Sequence, residues 1–178
     1  MNRQLQSGRF PVEATYFHVP FFLLVWSILA SGCTQPDPSE RLKPLVENYV
    51  HAWNTGDYNG LDEIVSPQFE LRMTPRFDPV KSRDSLKTII TNWRTTYPDF
   101  TITLDETIYT RDCVALRWTI RATVVDQESQ PPIKRTIVVP GMSILHFSEG
   151  RIVDEWLSGN DLYWFQQLGF AIVPPSRK

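Results

Sequence analysis

The amino-acid sequence predicts an α+β fold: a curved antiparallel sheet with three helices on its concave face and a short helix after the last strand. Two observations carry this expectation. From Ser39 to Tyr97 apolar residues recur mainly at helical spacing, interrupted by one alternating run. From Phe100 onward the apolar period drops to two and stays there through three long runs separated by turn-forming segments.

The segment before this pattern is read apart from the fold. Arg3 and Arg9 form a basic leader, "FFLLVWSILA" (Phe21 to Ala30) an apolar core, and Ser31 and Gly32 precede Cys33. These features identify residues 1–32 as a signal peptide. The apolar core is about half of the ~20 residues that span a bilayer. "ASGC" resembles a bacterial lipobox, with Ala30 where leucine is usual. The resemblance implies cleavage before Cys33, acylation of Cys33, and a lipid anchor holding the domain to the membrane at the cell envelope. An uncleaved anchor over Tyr16 to Gly32 is the alternative. Residues 33–40, with two prolines in "TQPDPSE", read as the tether. With Cys33 acylated, Cys113 has no partner, and in "DCVALRW" it reads as a small buried hydrophobe.

Residues 41–172 read as one domain and 173–178 as a tail. Ser39 is placed to cap a helix over "ERLKPLVENYVHAWN", whose Leu42, Leu45, Val46, Tyr49, Val50 and Trp53 share one face. Pro44 fits only near its start. "NTGD" (Asn54 to Asp57) turns the chain into a short helix over Tyr58 to Val65. "FELRM" (Phe69 to Met73) alternates as a strand. A third helix over Ser82 to Tyr97 carries Leu86, Ile89, Ile90 and Trp93 on one face, and Pro98 ends it. The strands Phe100 to Tyr109, Cys113 to Val125 and Arg135 to Phe147 follow, then a turn at Glu149 to Arg151 and a last short strand. Within Cys113 to Val125, alternation sets Val114, Leu116, Trp118, Ile120, Ala122 and Val124 inward, with Arg117 and Arg121 outward. Helices on the concave face of such a sheet form a cone, whose mouth suits a small apolar ligand.

Composition narrows the function. A net charge of −2 leaves no large basic face for nucleic acid. His51 falls off its helix stripe, and His146 shares a strand face with Met142 and Ile144. Neither shows the spacing of a metal site. Phosphate-binding glycine motifs are absent. "GMSIL" at Gly141 lacks the second glycine of a nucleophile elbow. Asn160-Asp161 is a helix start: asparagine caps well, and aspartate in a first turn meets the positive end of the dipole. Gly169 is the matching stop.

"YVHAWNTGD", "YPDF", "VALRWT", "FSEGRIVDEW" and "QQLG" are distributed within Glu47 to Gly169. In this order and spacing they resemble the SnoaL-like polyketide cyclase and ester cyclase group of the NTF2-like cone fold. The resemblance implies acid/base chemistry without metal or organic cofactor on a small hydrophobic carbonyl compound, and a homodimer formed through the sheet. Members carry their acid four residues after the motif tryptophan. Here Trp156 is followed at that place by Asn160, and Asp161 stands one later, about 100° around a helix. Arg72 stands where members often have histidine, Ala122-Thr123-Val124 where they have G-T-H, and "PPIK" (Pro131 to Lys134) where they have PPTG. The candidate catalytic residue is Asp161. The candidate pocket residues are Trp53, Arg72, Trp93, Tyr97, Trp118, Met142, Trp156, Asn160 and Trp164. Two functions stay open: a cyclase- or isomerase-like enzyme using Asp161, and a non-catalytic binding or dimerisation module on the same scaffold.

Overall fold

The computed structural model describes residues 37–73, 78–126, 132–171 and 173. The expected leader, Cys33, the first part of the tether, most of the polar connection after Asp126 and the residues from Pro174 on lie outside the described residues. The elements run α1 (Pro38–Thr55), α2 (Leu61–Ile64), β1 (Val65–Arg72), β2 (Val80–Lys81), α3 (Arg83–Thr96), β3 (Thr101–Tyr109), β4 (Cys113–Asp126), β5 (Ile133–Ser148), β6 (Arg151–Gly159) and α4 (Asp161–Gln167). The described helices include none long and apolar enough to cross a membrane.

Helix α1 is capped by Asp37, not Ser39: the Asp37 carboxylate accepts the Ser39 N–H at 2.9 Å, and Pro38 opens the first turn. Pro44 sits inside the helix on its exposed side, where the carbonyl it deprives of a donor is left to water. Gly56 ends α1 in the left-handed conformation, its N–H bonded to the Ala52 carbonyl at 2.9 Å. Leu42, Val46, Tyr49, Ala52 and Trp53 are buried along its stripe. Helix α2 is a single turn, shorter than expected, because Gly60 precedes it at φ 79° and the chain is extended from Val65. Strand β1 therefore starts four residues before the expected Phe69.

The sheet order is β2-β1-β6-β5-β4-β3. The pairs among β3 to β6 are antiparallel, and β1 lies parallel to β6. The sheet is thus mixed, not wholly antiparallel as expected. Side-chain alternation is the same beside either kind of neighbour, so the period alone cannot report strand direction. Strand β2, only two residues long, is too short to show a period. Register shifts interrupt β3 between Leu104 and Glu106 and β6 between Ile152 and Asp154. Such bulges bend the bulged strand and increase its twist, curving the sheet.

Asn54 fastens the end of α1 to β3. Its side-chain amide donates to the Ile102 carbonyl at 2.9 Å, and its Oδ1 accepts the Ile102 N–H at 2.6 Å. Arg94 of α3 donates to the carbonyls of Asn54, Trp53 and Phe100, tying α1, α3 and the entry to β3 together. These polar contacts fix the helices over the inner sheet face. Val114, Leu116, Trp118, Ile120 and Ala122 are buried there as the alternation requires.

Candidate functional site

Between the helices and the inner sheet face lies a cavity of about 360 Å³. Its walls are apolar: Val50 and Trp53 from α1, Trp93 from α3, Ile102 and Leu104 from β3, Leu116, Trp118 and Ile120 from β4, and Leu157 from β6. Trp164 and Phe165 of α4 complete the mouth. Trp164 meets Trp93 edge-on, with centroids 5.0 Å apart at 80°, and Tyr97 at 5.7 Å and 73°. This aromatic contact seats the short α4 against α3.

Trp118 lies across β5 because Gly141 leaves room for it. A Cβ on Gly141 would stand 2.0 Å from the indole ring. The Trp118 Nε1–H then donates to Ser143 Oγ at 2.9 Å. Ser143 and Glu155 are buried among core residues, and Glu155 is only 3% exposed. The Tyr49 hydroxyl donates to Glu155 Oε2 at 2.6 Å. Both Glu155 and Tyr49 line the cavity. Burial raises the Glu155 carboxyl above its usual range, while hydrogen bonds from Ser143 and Tyr49 pull it back in part. The Tyr49 hydroxyl is held well above its usual 10.0, first by burial and then by the charge of Glu155.

Asp161 lies at the rim of the same cavity, exposed, as the first residue of α4. Asn160 caps that helix, its Oδ1 accepting the Tyr163 N–H at 3.0 Å. Among the candidate residues, Trp53, Trp93, Trp118, Trp164 and Asp161 line the cavity. Tyr97 packs behind Trp93 and Trp164 instead of lining it, and Asn160 serves the helix end.

Three candidates fall on the other face of the sheet. Trp156 is 52% exposed and Met142 57% exposed, and Arg72 pairs with Glu70 beside Trp156. For Trp156 the reason is the bulge at Val153. Simple alternation from the buried Ile152 would turn Asp154 and Trp156 inward. The extra residue shifts the parity, so Glu155 and Leu157 face in. For Met142 the reason is composition. Strand β5 is apolar on both faces, and the buried set is Ile137, Val139, Ser143, Leu145 and Phe147.

Glu155 is the functional candidate that pattern reading missed. The bulge hid it, yet a signal exists: Tyr49 sits mid-stripe in α1, and a buried tyrosine hydroxyl calls for a partner. The outer face carries a further polar pair, His146 Nδ1 to Asp154 Oδ1 at 2.7 Å, with Cys113 across from His146 in β4. Among the described residues, no group of three or more His, Cys, Asp or Glu is placed to hold a metal ion.

A family model described as SnoaL-like polyketide cyclase matches residues 43–168. No curated protein matches the chain. Among solved structures, IdmH of Streptomyces antibioticus, described as a candidate polyketide cyclase, is 23% identical with a TM-score of 0.63. That match covers 72% of this chain and 98% of IdmH. AclR of Streptomyces galilaeus, described as a candidate hydroxylase, is 25% identical with a TM-score of 0.61, over 79% of this chain and 91% of AclR. TsrD of Streptomyces laurentii is 24% identical with a TM-score of 0.62, over 73% of this chain and 96% of TsrD.

Proposed function

Because the chain belongs to the SnoaL-like polyketide cyclase family, matched over residues 43–168, we propose that its cavity binds a small hydrophobic carbonyl compound and performs acid/base chemistry on it without a cofactor. The observation that carries this reading is the composition of the cavity wall. Tryptophans and aliphatic side chains make most of it, and two carboxyl groups, Glu155 and Asp161, reach it. A carboxyl enclosed by apolar walls is the arrangement that tunes an acid toward proton transfer near neutral pH.

One observation favours the non-catalytic binding reading: Asn160, which cannot titrate, stands where the family keeps its acid, and it is engaged in capping α4. Fold alone does not fix the reaction, since the same scaffold is described as a candidate cyclase in IdmH and a candidate hydroxylase in AclR.

We further propose that the domain is a lipid-anchored envelope protein acylated at Cys33, and that two copies pair through the outer sheet face. The support for pairing is a row across four strands: Ile108, Ala115, Ile144 and Trp156 are successive register partners. Ile108, Ile144 and Trp156 are all exposed. An exposed apolar row of this kind marks a contact surface.

Native mass spectrometry of the protein taken from the membrane fraction reads all three features. The expected spectrum shows a dimer, acyl mass on Cys33 and, in the folded state, retained small molecules. The bicyclic ketone 2-tetralone is expected to quench tryptophan fluorescence saturably, because Trp53, Trp93, Trp118 and Trp164 surround the cavity. An absence of quenching by 2-tetralone would sink the ligand-binding reading. A monomeric, unacylated chain would sink the other two.

A further inference from the structure

We propose that Glu155, not Asp161, is the proton-transfer residue of this cavity, and that its substrate class is the neutral, enolisable ketone. The proposal rests on the cavity reading above. Enclosure is its first ground. Glu155 is 3% exposed on the cavity wall, whereas Asp161 is exposed at the rim, where water competes for any proton.

Positioning is the second ground. Tyr49 holds one carboxyl oxygen at 2.6 Å from α1. Ser143, itself fixed by Trp118 Nε1 at 2.9 Å, flanks the carboxyl from β5. The register neighbours Leu71 of β1 and Leu145 of β5 are apolar. Asp161, at the rim, is the other carboxyl on the same cavity. The two hydroxyls are the polar groups set against Glu155, Tyr49 being the titratable one.

The lining decides the substrate class. Among the described lining residues the ionisable groups are Tyr49, Glu155 and Asp161, with no Lys, Arg or His. An anionic ligand would enter an apolar chamber holding only acidic groups, at a large desolvation cost without a counter-charge. A neutral ketone avoids that cost.

The step also conserves the charge of the site. The Glu155 carboxylate takes a proton from the carbon next to the carbonyl. The C–H electron pair becomes the C=C bond of the enolate, and the carbonyl π pair moves onto oxygen. The single negative charge passes from Glu155 to the enolate oxygen, so no second charge is buried. The neutral Glu155 then returns the proton to carbon or oxygen, and no co-reactant is consumed. Burial makes the Glu155 carboxylate a stronger base than an ordinary glutamate, which suits proton removal from a weak carbon acid. Tyr49 acts on the substrate only through the carboxyl it orients, so it is a positioning residue.

The test uses the full chain and 2-tetralone in heavy water, with exchange of the ketone's C1 protons followed by NMR and binding followed by tryptophan quenching. The wild type is expected to bind the ketone and accelerate exchange. Glu155→Gln is expected to bind it but to lose about 100-fold or more of the exchange rate. Asp161→Asn, at the exposed rim, is expected to lose far less of the exchange rate than Glu155→Gln. The exchange rate should rise with pH through a midpoint above the ordinary glutamate value of 4.5. Tyr49→Phe removes a donor that favours the carboxylate, so it should move that midpoint upward. Binding without accelerated exchange, or exchange that survives Glu155→Gln, overturns the role of Glu155 and leaves the binding reading standing. No binding by the folded wild type overturns both.

Discussion

Gly141→Val is expected to destabilise the fold by about 3 kcal/mol or more and to abolish binding in the cavity. Overpacking a filled core costs roughly 1–3 kcal/mol, and the hydrogen bond lost with it adds about 1. Added side-chain atoms here meet a rigid ring. A Cβ would lie 2.0, 2.3 and 2.5 Å from three atoms of the Trp118 six-membered ring. The indole cannot bend away as a flexible chain would, so the ring must swing or β4 must separate from β5. Either movement breaks the Trp118 Nε1–Ser143 Oγ bond and leaves two buried polar groups short of a partner. A swung ring would also enter the cavity it now walls. The measurement is urea unfolding of Gly141→Val, Trp118→Leu and the double variant. Trp118→Leu removes the ring atoms that clash, so the double variant should lose less than the sum of the two single losses. Simple additivity would mean that Gly141 is there for some reason other than the Trp118 ring.

That steric pairing shows which parts of the molecule a linear pattern can reveal. Strand β4 was legible because polar and apolar residues alternate cleanly along it: Arg117 and Arg121 face out, while Leu116, Trp118 and Ile120 face in. Helix α1 was legible for the same reason at helical period. Strand β5 was not, because Val138, Met142 and Ile144 on its outer side are as apolar as Ile137, Val139 and Leu145 within. Strand β6 misled more sharply. One extra residue at Val153 reverses the parity downstream, moving Trp156 to the outer face and Glu155 to the cavity. A bulge is set by pairing with a neighbouring strand, so the strand's own sequence carries little trace of it. The Asn160 cap is local, and its bond to the Tyr163 N–H forms as the residue type suggests. Where Asp161 ends up is not local. It follows from Trp164 seating α4 against Trp93 and Tyr97, a contact between segments some seventy residues apart in the chain.

Glu155 is also expected to make the protein lose stability as pH rises, opposite to the usual behaviour of a native carboxylate. Burial raises its folded pKa above the ordinary 4.5 of the unfolded chain. Between those two values the folded state binds more protons than the unfolded state. The stability it contributes is therefore fully present below 4.5 and is lost as pH climbs through the raised folded value. A full proton of difference corresponds to about 1.4 kcal/mol per pH unit within that window. The lowered carboxyls act at the other end of the scale. The Asp62 carboxylate is held down chiefly by its hydrogen bond from Lys87, and Asp99 by hydrogen bonds from Thr123. Their stabilisation is lost as pH falls below their ordinary 3.8, so they leave the window above 4.5 to Glu155. Glu155→Gln keeps the shape and removes the titration. Its stability relative to wild type should be lowest below 4.5, grow as pH rises toward the raised folded value and level off beyond it, read from urea midpoints taken across pH 4 to about 9, below the Tyr49 range. A difference that stays flat with pH would mean that the carboxyl titrates alike in the folded and unfolded chains. The expected trend is the stability cost of enclosing an ionisable carboxyl beside an apolar cavity, a cost retained where a proton-transfer group is used.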